Sequence, residues 1–482
     1  MSNSTTSAAA NARKSLSGNM GVKSIVSMVI ATAAPLTIMV ANTPLIIAAG
    51  NGPAAPLDFI VAMGIMLLFS VGFISMSRYI NDAGAFYACI QKGLGRIVGL
   101  GSATLMMTSY GLLLIALATY VGVTISDLVG TLLNTAIPWW VSSLSILSII
   151  AYFGYRRIEL SSKFLGVALI LEIAAVIIVN TLVVHEQGVK AFTFETLGVN
   201  HFMSSSPGIG VLLAIYAFIG FESTIIYREE AKDPERTIPI ATYVAVFSLG
   251  LFYVVSMWCV VAGIGVENVI QMATEHPADM YLKISEIYGG KLFAELVQIL
   301  VITSLFACML SLHNIVVRYK YTLGKYGIFP PHFSNVHEHH GSPYFSSVVL
   351  SLLSILSIVF LATTNLDPVG QIYVWGATLG TLGYMVVLAI ASSATLVFFR
   401  RHKDSAPVWN TLIAPCMGMV GVVGCVWVAF SNLPMLTGGS EGSALASIMG
   451  VMLFLFFCFG IIIALKLKRK APDRYAALLN IS

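Results

Sequence analysis

Two carboxylates in this sequence lie inside long apolar segments, where they could bind and release protons. Glu222 follows Gly220 in the segment AIYAFIGFESTII, 214–226, and Glu172 lies within LILEIAAVIIV, 169–179. A charged carboxylate at the centre of a bilayer costs roughly 3 kcal/mol, so such a group is expected to be neutral, paired or hydrated. Two of them on neighbouring helices would make a proton relay. The alternative is that each forms a structural hydrogen bond to an adjacent helix.

The backbone of two apolar segments is also interrupted. In ATAAPLTIMVANTP, 31–44, Pro35 has no N–H to donate and removes a helical hydrogen bond. Gly220 lowers the free energy needed to leave helical geometry in the segment that contains Glu222. In a bilayer, backbone groups freed in this way are tolerated where they line a cavity or pack within protein. Interrupted segments at corresponding positions of two halves predict a transporter's central site, and simple helix kinks are the alternative.

The composition requires a bilayer around most of the chain. Of the 482 residues, 57% are hydrophobic and 10% are charged, and the mean hydropathy is +0.87. Apolar runs of about 20 residues, the length that spans hydrocarbon as a helix, occur about twelve times. The predicted crossings cover 25–49, 57–77, 97–133, 139–155, 160–184, 208–227, 240–263, 292–317, 344–362, 369–399, 412–436 and 443–465.

The distribution of Lys and Arg predicts the orientation of these crossings. With a cytoplasmic N-terminus, Lys190, Lys283 and Lys291 fall outside, and the other 23 of the 26 Lys and Arg fall inside. Positive residues accumulate in cytoplasmic loops, so both termini are expected in the cytoplasm and the number of crossings is expected to be even. The net charge of +4 favours contact with an anionic lipid surface, and no nucleic acid partner is predicted.

Several other features are expected to have no metal-binding or nucleotide-binding role. The six cysteines include no CxxC pair and are expected to be reduced packing residues. His332, His337, His339 and His340 share one loop without the spacing of a zinc site, so no metal is predicted. No GxxxxGK(S/T) motif occurs, so direct coupling to ATP is not expected. The stretch EEAKDPERTIP, 229–239, is either a water-facing loop or a cytoplasmic gate that pairs with Arg or Lys of other cytoplasmic segments.

Three separate motifs resemble the amino acid, polyamine and organocation (APC) superfamily of secondary transporters. The sequence FIGFESTIIYREEAKDPERTIPIA, 218–241, resembles the family's sixth-helix signature. The sequence SRYINDAGAFYACIQKGLGRIVG, 77–99, is similar to the family's cytoplasmic turn between helices two and three. The sequence HNIVVRYKYTLGKYGIFP, 313–330, is similar to the end of the eighth helix. With the hydropathy pattern, the resemblance covers about residues 20 to 470.

The resemblance implies a fold class and a division of the chain. The expected fold is an all-α integral membrane protein with a five-plus-five inverted repeat (APC/LeuT-type fold) and two extra C-terminal helices. Residues 1–20 would form a disordered cytoplasmic tail, 21–470 the transporter domain and 467–482 a cytoplasmic C-terminal tail. Within the domain, repeat one would cover 21–185, repeat two 207–400, and helices eleven and twelve 411–466. The expected location is the plasma membrane, which the chain would cross many times.

The resemblance also implies a substrate site between the breaks of helices one and six. Tyr216 matches an aromatic gate of some members, and Glu222 matches a proton-sensitive gating group. Two positions depart from the family: Pro35 cannot donate an amide to a substrate carboxylate, and Glu172 stands where some proton-coupled members have a Lys. By position, the substrate-binding residues would be Ala33, Ala34, Pro35, Leu36, Thr37, Tyr216, Ala217, Phe218, Ile219 and Gly220.

The predicted function is secondary active transport of an amino acid or a related amine by alternating access, with protons as the expected coupling ion. A polyamine or cationic amine transporter, or an exchanger of the same fold, is the alternative within the family, because Pro35 weakens the carboxylate site. A membrane enzyme with Glu222 and Glu172 as an acid–base pair lacks any accompanying motif, and a sensor that keeps the transporter fold stays open. No cofactor is expected. The expected partners are a small-molecule substrate, protons and the lipid bilayer.

Overall fold

The regular structure of this chain is helical. The computed structural model describes residues 20–79, 85–156, 162–189, 192, 197–198, 207–226, 231–339, 341–402, 407–436, 444–472 and 475. Across these ranges no strand is present, and an isolated bridge joins Met20 to Ala231. The all-α prediction is therefore confirmed. The predicted N-terminal tail lies outside the described residues except at Met20.

Long helices alternate with short turns along the chain. π-helical turns cover Ile38–Asn42, Ile46–Asn51, Pro368–Tyr373 and Trp409–Ile413, and 3₁₀ turns cover Gly52–Ala54 and Pro331–Ser334. The α-helices are α1 (Val22–Ala33), α2 (Pro35–Thr37), α3 (Thr43–Leu45), α4 (Ala55–Ser77), α5 (Ala85–Leu94), α6 (Arg96–Leu133), α7 (Trp139–Arg156), α8 (Ser162–Gln187), α9 (Pro207–Tyr216), α10 (Ser223–Ile226), α11 (Pro234–Ile264), α12 (Val269–Glu275), α13 (Met280–Gly289), α14 (Lys291–Lys325), α15 (Tyr344–Ala362), α16 (Val374–Arg401), α17 (Ala414–Ser431), α18 (Leu433–Leu436) and α19 (Ala444–Lys470).

Most predicted crossings coincide with one long helix. In the described ranges, nine helical stretches are long and apolar enough to span a membrane, and one of them, Val22–Ser77, has 56 residues. The stretch α7 is not among the nine, and the sixth predicted crossing is divided into short pieces. The chain is therefore a multi-pass membrane protein. The count of twelve crossings, the inverted repeat and the domain limits remain predictions, although α19 continues to Lys470, past the predicted end at residue 466.

The first apolar segment breaks where Pro35 predicted an interruption. Helix α1 ends at Ala33, Ala34 has left-handed backbone (φ 48°, ψ 69°), and Pro35 occupies the first position of the next helical run. Proline suits that position because the helix makes no use of an N–H there. The run continues to Asn51 through two π-helical turns. The result is a half-helix that starts in the middle of the spanning segment.

The sixth apolar segment breaks around Gly220. Helix α9 ends at Tyr216, residues 217–222 form successive turns, and α10 starts at Ser223. Gly220 has φ +106°, a conformation that residues with side chains rarely adopt, and a Cβ there would lie 2.7 Å from Thr32 Cγ2. Glycine at this position therefore permits both the turn and the close approach of α1.

The two broken helices lie in a bundle organised around α6. Helix α6 packs against α14, α16 and α19, while α9 packs against α4, α17 and the turn Ile46–Asn51. Phe69 and Phe73 of α4, Phe86 of α5 and Phe221 form one aromatic cluster with ring centroids 4.8 to 6.3 Å apart. This cluster holds Phe221 against α4 and α5 and so fixes the position of the neighbouring Glu222.

Candidate substrate site

A small cavity lies where the two broken helices face each other. Its walls come from the first break, the sixth break, α6 and α14. The free space is about 20 Å³, enough for about one water molecule. The residues that line it are Thr32, Ala33, Thr37, Ile38, Leu113, Tyr216, Ile219, Gly220, Cys308, Leu312 and Ile315.

Helix ends of opposite polarity meet at this cavity. The half-helix that begins at Pro35 has its N-terminus here, and within the described residues the amides of Leu36 and Thr37 donate to no backbone carbonyl. Helix α9 has its C-terminus here, and in the same part of the chain the carbonyls of Ala217 and Ile219 accept no backbone hydrogen bond. A helix N-terminus favours a negative group and a C-terminus favours a positive one. The two ends can therefore receive a carboxylate and an ammonium group.

The cavity contains half of the predicted substrate residues. Those that line it are Ala33, Thr37, Tyr216, Ile219 and Gly220. The others are buried next to it without lining it: Ala34, Pro35, Leu36, Ala217 and Phe218. These five can offer backbone groups to the cavity, and the substrate role of all ten remains a prediction.

Sequence reasoning missed the walls that other helices supply. Leu113 of α6 and three residues of α14, Cys308, Leu312 and Ile315, line the cavity. The spacing of four and three residues puts the α14 side chains on one face of that helix. Other apolar faces of α14 have the same periodicity, so this pattern alone does not identify the face at the cavity.

Glu222 lies behind the cavity and accepts three hydrogen bonds. The Tyr110 hydroxyl of α6 donates to Oε1, the Tyr384 hydroxyl of α16 donates to Oε2 at 3.1 Å, and the Gly220 N–H donates to Oε2 at 3.0 Å. The residue is 4% exposed. Three donors around one carboxyl group stabilise its ionised form. Because Gly220 also lines the cavity, one backbone amide connects Glu222 to the cavity.

Glu172 is connected to the same cavity through two hydroxyl groups. Ser304 Oγ of α14 donates to Glu172 Oε2 at 2.8 Å, and Thr37 Oγ1 donates to Ser304 Oγ at 3.0 Å. All three side chains are buried. Since Thr37 lines the cavity, a change in its hydrogen bonding would reach Glu172.

The two carboxylates face different helices. Glu222 is bonded to α6 and α16, whereas Glu172 is bonded to α14. Within the described ranges no hydrogen bond joins them. The proton relay between them therefore stays a hypothesis.

Comparison with known proteins decides the family. A family model described as "Amino acid permease" matches residues 20–434. The chain belongs to the amino acid permease family. This confirms the resemblance to the APC superfamily, and the permease is a transporter rather than an enzyme.

Relatives of the permease act on different substrates according to their names. The permease is 22% identical over 430 residues to the low-affinity putrescine importer PlaP of Escherichia coli (strain K12), and the alignment covers 86% of this chain and 89% of the relative. It is 21% identical to the methylthioribose transporter of Bacillus subtilis (strain 168), with 82% and 84% covered. It is 20% identical to the branched-chain amino acid permease BcaP of the same organism, with 78% and 80% covered. Relatedness alone therefore leaves the permease's substrate open.

At the predicted cytoplasmic gate, chain segments at the ends of α1, α4 and α11 contact one another. Arg78 Nε, just after α4, lies 3.4 Å from Glu235 Oε2 of α11, and the Lys232 N–H donates to the Met20 carbonyl at 3.0 Å. Both members of the ion pair are 56% exposed, so the pair contributes at most about 1 kcal/mol. Residues 229–230 of this motif lie outside the described residues. The gating role remains a hypothesis.

The histidine loop and the cysteines form no metal cluster in the part of the permease that the structure describes. There, no three His, Cys, Asp or Glu side chains lie close enough together to hold a metal ion. His337 packs edge-on against Tyr155 with ring centroids 5.4 Å apart. His340 lies outside the described residues. The six cysteines are unpaired thiols.

Proposed function

We propose that this permease is a secondary transporter of amino acids with apolar side chains, which bind in the cavity between the two breaks and cross by alternating access. The observation that carries the proposal is the meeting of a half-helix N-terminus and a half-helix C-terminus at one cavity with apolar walls. A zwitterion matches that polarity, because its carboxylate and ammonium groups carry opposite charges and are bonded to the same carbon.

The carboxylate end of the substrate would bind at the first break. Pro35 removes one amide from the half-helix terminus, but Leu36 and Thr37 keep theirs, and both are free of backbone partners in the described part of the chain. The Thr37 hydroxyl lies at the same place and already donates to Ser304. Pro35 therefore reduces the number of amide donors at this helix end, and two donors are left for the substrate carboxylate.

The side-chain end of the substrate would pack against aliphatic groups. Leu113, Ile219, Leu312 and Ile315 line the cavity, and the described residues that line it include no Asp, Glu, Lys or Arg. A diamine would leave its second ammonium group without a carboxylate there, which disfavours the cationic amine alternative. Each buried CH₂ contributes about 0.8 kcal/mol, so leucine should bind about 50-fold more tightly than alanine.

Binding of such a substrate requires the walls to separate. About 20 Å³ of free space admits one water molecule and is too small for an amino acid. The breaks at Ala34 and Gly220 supply backbone that can change conformation without disrupting a continuous helix. Alternating access would then open the cavity to one side of the membrane at a time.

Protons are the proposed coupling ion. Glu222 is reached from the cavity through the Gly220 amide and Glu172 through Ser304 and Thr37. A substrate that moves either break would change the hydrogen bonds of the carboxyl group behind it, so proton binding and substrate binding would influence each other. Glu222 is the proposed switch, and Glu172 is the proposed second carboxyl.

Uptake into proteoliposomes tests the substrate class. Purified permease should accumulate leucine from outside under an inward proton gradient, take up alanine much less, and take up putrescine no faster than protein-free vesicles. Competition should require both charged groups, so 3-methylbutylamine and 4-methylpentanoate, which each lack one of them, should compete far less well than leucine.

A matched pair of variants on α14 tests the location of the site. Ile315→Phe fills the cavity and should abolish leucine uptake, whereas Ile299→Phe changes a residue that is 51% exposed on the same helix and should not. Putrescine uptake without leucine uptake would overturn the substrate class and support the cationic amine alternative. Wild-type uptake in Ile315→Phe would overturn the location.

A further inference from the structure

A third carboxylate, Asp58, is completely buried where three segments of the chain meet. It lies in the first turn of α4, is 0% exposed, and contacts Asn51 at the end of the first broken helix. Gly210 of α9 lies directly against the Asp58 carboxyl group, because a Cβ at Gly210 would lie 2.5 Å from Asp58 Oδ1. The backbones of the first broken helix and of α9 also touch here, since a Cβ on Gly50 would lie 2.7 Å from Gly210 Cα. The carboxyl group thus sits between the outer half of the first broken helix, α4 and α9.

The hydrogen bonding of this pair is incomplete in a specific way. Asn51 Nδ2 donates to Asp58 Oδ1 at 2.6 Å. Among the described residues, no donor reaches the remaining two oxygens, Asn51 Oδ1 and Asp58 Oδ2, which are both buried acceptors. An ionised carboxylate and an amide oxygen can only accept, so neither can satisfy the other. One proton on Asp58 would convert an acceptor into a donor and could pair both atoms at once.

In the part of the chain that the structure describes, no positive charge is paired with Asp58 in place of that proton. Among the described residues no Lys, Arg or His forms an ion pair with Asp58. Among the described residues, the titratable group that interacts with Asp58 is the Cys425 thiol of α17, while Tyr253 of α11 stacks its ring on the adjacent residue Phe59. Helix α9 presents Gly210, which has no titratable side chain, to Asp58. Helices α5 and α16 contact α4 near Met76, at the end of α4 opposite Asp58. The backbone of α9 against the carboxyl group also leaves no space there for a hydrated cation.

We propose that Asp58 is a proton-binding site: it holds a proton on Oδ2 and donates it to Asn51 Oδ1, so that acid and amide form a reciprocal pair. This pair joins α4 to the end of the first broken helix and lies against α9. Loss of the proton leaves a buried charge and two repelling oxygens at the junction, which favours separation of these three segments. The site is independent of the substrate proposed above and lies at residues that do not line the cavity.

Infrared spectroscopy of the purified full-length protein at neutral pH tests the proposal directly. The wild type should show the carbonyl stretch of a protonated carboxylic acid, and Asp58→Asn should lack one such group, while the control Asp127→Asn removes an exposed carboxylate of α6 and should keep it. Asn51→Ala removes the donor to Oδ1, so the acid carbonyl band should move to higher frequency.

A stability measurement gives a second result. Asn at position 58 can accept from and donate to Asn51 as the protonated acid does, so Asp58→Asn should fold. The folded wild type holds a proton that the unfolded chain releases above about pH 4, so its stability falls as pH rises. Relative to Asp58→Asn, the unfolding constant of the wild type should increase about tenfold per pH unit while the folded state keeps that proton.

Two outcomes overturn the proposal. The first is a wild-type minus Asp58→Asn infrared difference that shows ionised carboxylate bands at neutral pH. The second is failure of Asp58→Asn to fold while Asp127→Asn folds, because that result means that the junction requires the charge. Neither outcome bears on leucine uptake, so failure of this proposal is distinguishable from failure of the proposed function.

Discussion

Replacement of Tyr110 by Phe removes one of the three donors to Glu222 and leaves the other two in place. The Tyr110 hydroxyl donates to Oε1, whereas Tyr384 and the Gly220 amide both donate to Oε2. Phenylalanine keeps the ring and its packing, including the contact with the Tyr384 ring at 6.3 Å. The substitution therefore changes the hydrogen bonding of Oε1 with little change in volume.

The size of the effect follows from the strength of that bond. A hydrogen bond to a charged group contributes about 1.5 to 3 kcal/mol, and one pH unit corresponds to about 1.36 kcal/mol. The hydroxyl stabilises the ionised carboxylate, so its loss favours the protonated form. If Glu222 is the proton-linked switch, the pH at which transport is half-maximal should rise by about 1 to 2 units in Tyr110→Phe.

The assay is initial leucine uptake into proteoliposomes between about pH 5 and 8. Tyr120→Phe is the matched control, because Tyr120 is a buried tyrosine of the same helix whose hydroxyl donates to the Ala278 carbonyl at 2.8 Å. It should keep the wild-type midpoint. Glu222→Gln fixes the group neutral and should lose most of the pH dependence.

Two results would refute this reasoning about Glu222. One is a Tyr110→Phe midpoint equal to that of the wild type and of Tyr120→Phe. The other is an unchanged pH profile in Glu222→Gln, which would leave Glu222 as a structural carboxylate and move the coupling to Glu172 or elsewhere.

Two further substitutions probe the sixth break and the hydrogen bond to Glu172. Gly220→Ala should reduce the yield of folded protein and lower its melting temperature, because the residue has φ +106° and its Cβ would meet Thr32. Gly111→Ala in α6 is the control, since a Cβ there has open space and should be tolerated. Equal melting temperatures of the two variants would contradict the strain argument. Ser304→Ala removes the buried donor to the Glu172 carboxyl group and should destabilise the protein by about 1 to 3 kcal/mol, measured by thermal unfolding. Wild-type stability in this variant would show that the hydrogen bond is dispensable.

The two helix breaks were predictable because their causes are local. Pro35 has no N–H, and Gly220 alone among its neighbours can adopt positive φ, so both effects are visible in a few letters of sequence. Long apolar helices were predictable for the same reason: α15 covers Tyr344–Ala362, the range that the hydropathy pattern predicted.

The partners of the carboxylates were not predictable, because they come from distant parts of the chain. Tyr110 and Tyr384 lie in apolar helices where tyrosine is equally compatible with simple packing. Asp58 is the second residue of the predicted crossing 57–77, and its sequence neighbours do not mark it as a buried carboxylate. Asp58 is buried because the backbone comes close to it at Gly50 and Gly210. Glycine has no side chain, so a hydropathy pattern does not show such a close approach.

The separate connections of Glu222 and Glu172 bear on which substrate can couple to protons. The Gly220 amide leads from the sixth break to Glu222, and the Thr37 hydroxyl leads from the first break to Glu172. In the proposed site, the ammonium group of the substrate lies at the sixth break and the carboxylate at the first. A zwitterion would therefore act on both hydrogen-bond chains, while an amine without a carboxylate would act on the chain to Glu222 alone. The polarity of the helix ends and the placement of the two acids thus favour the same substrate, because only an amino acid engages both.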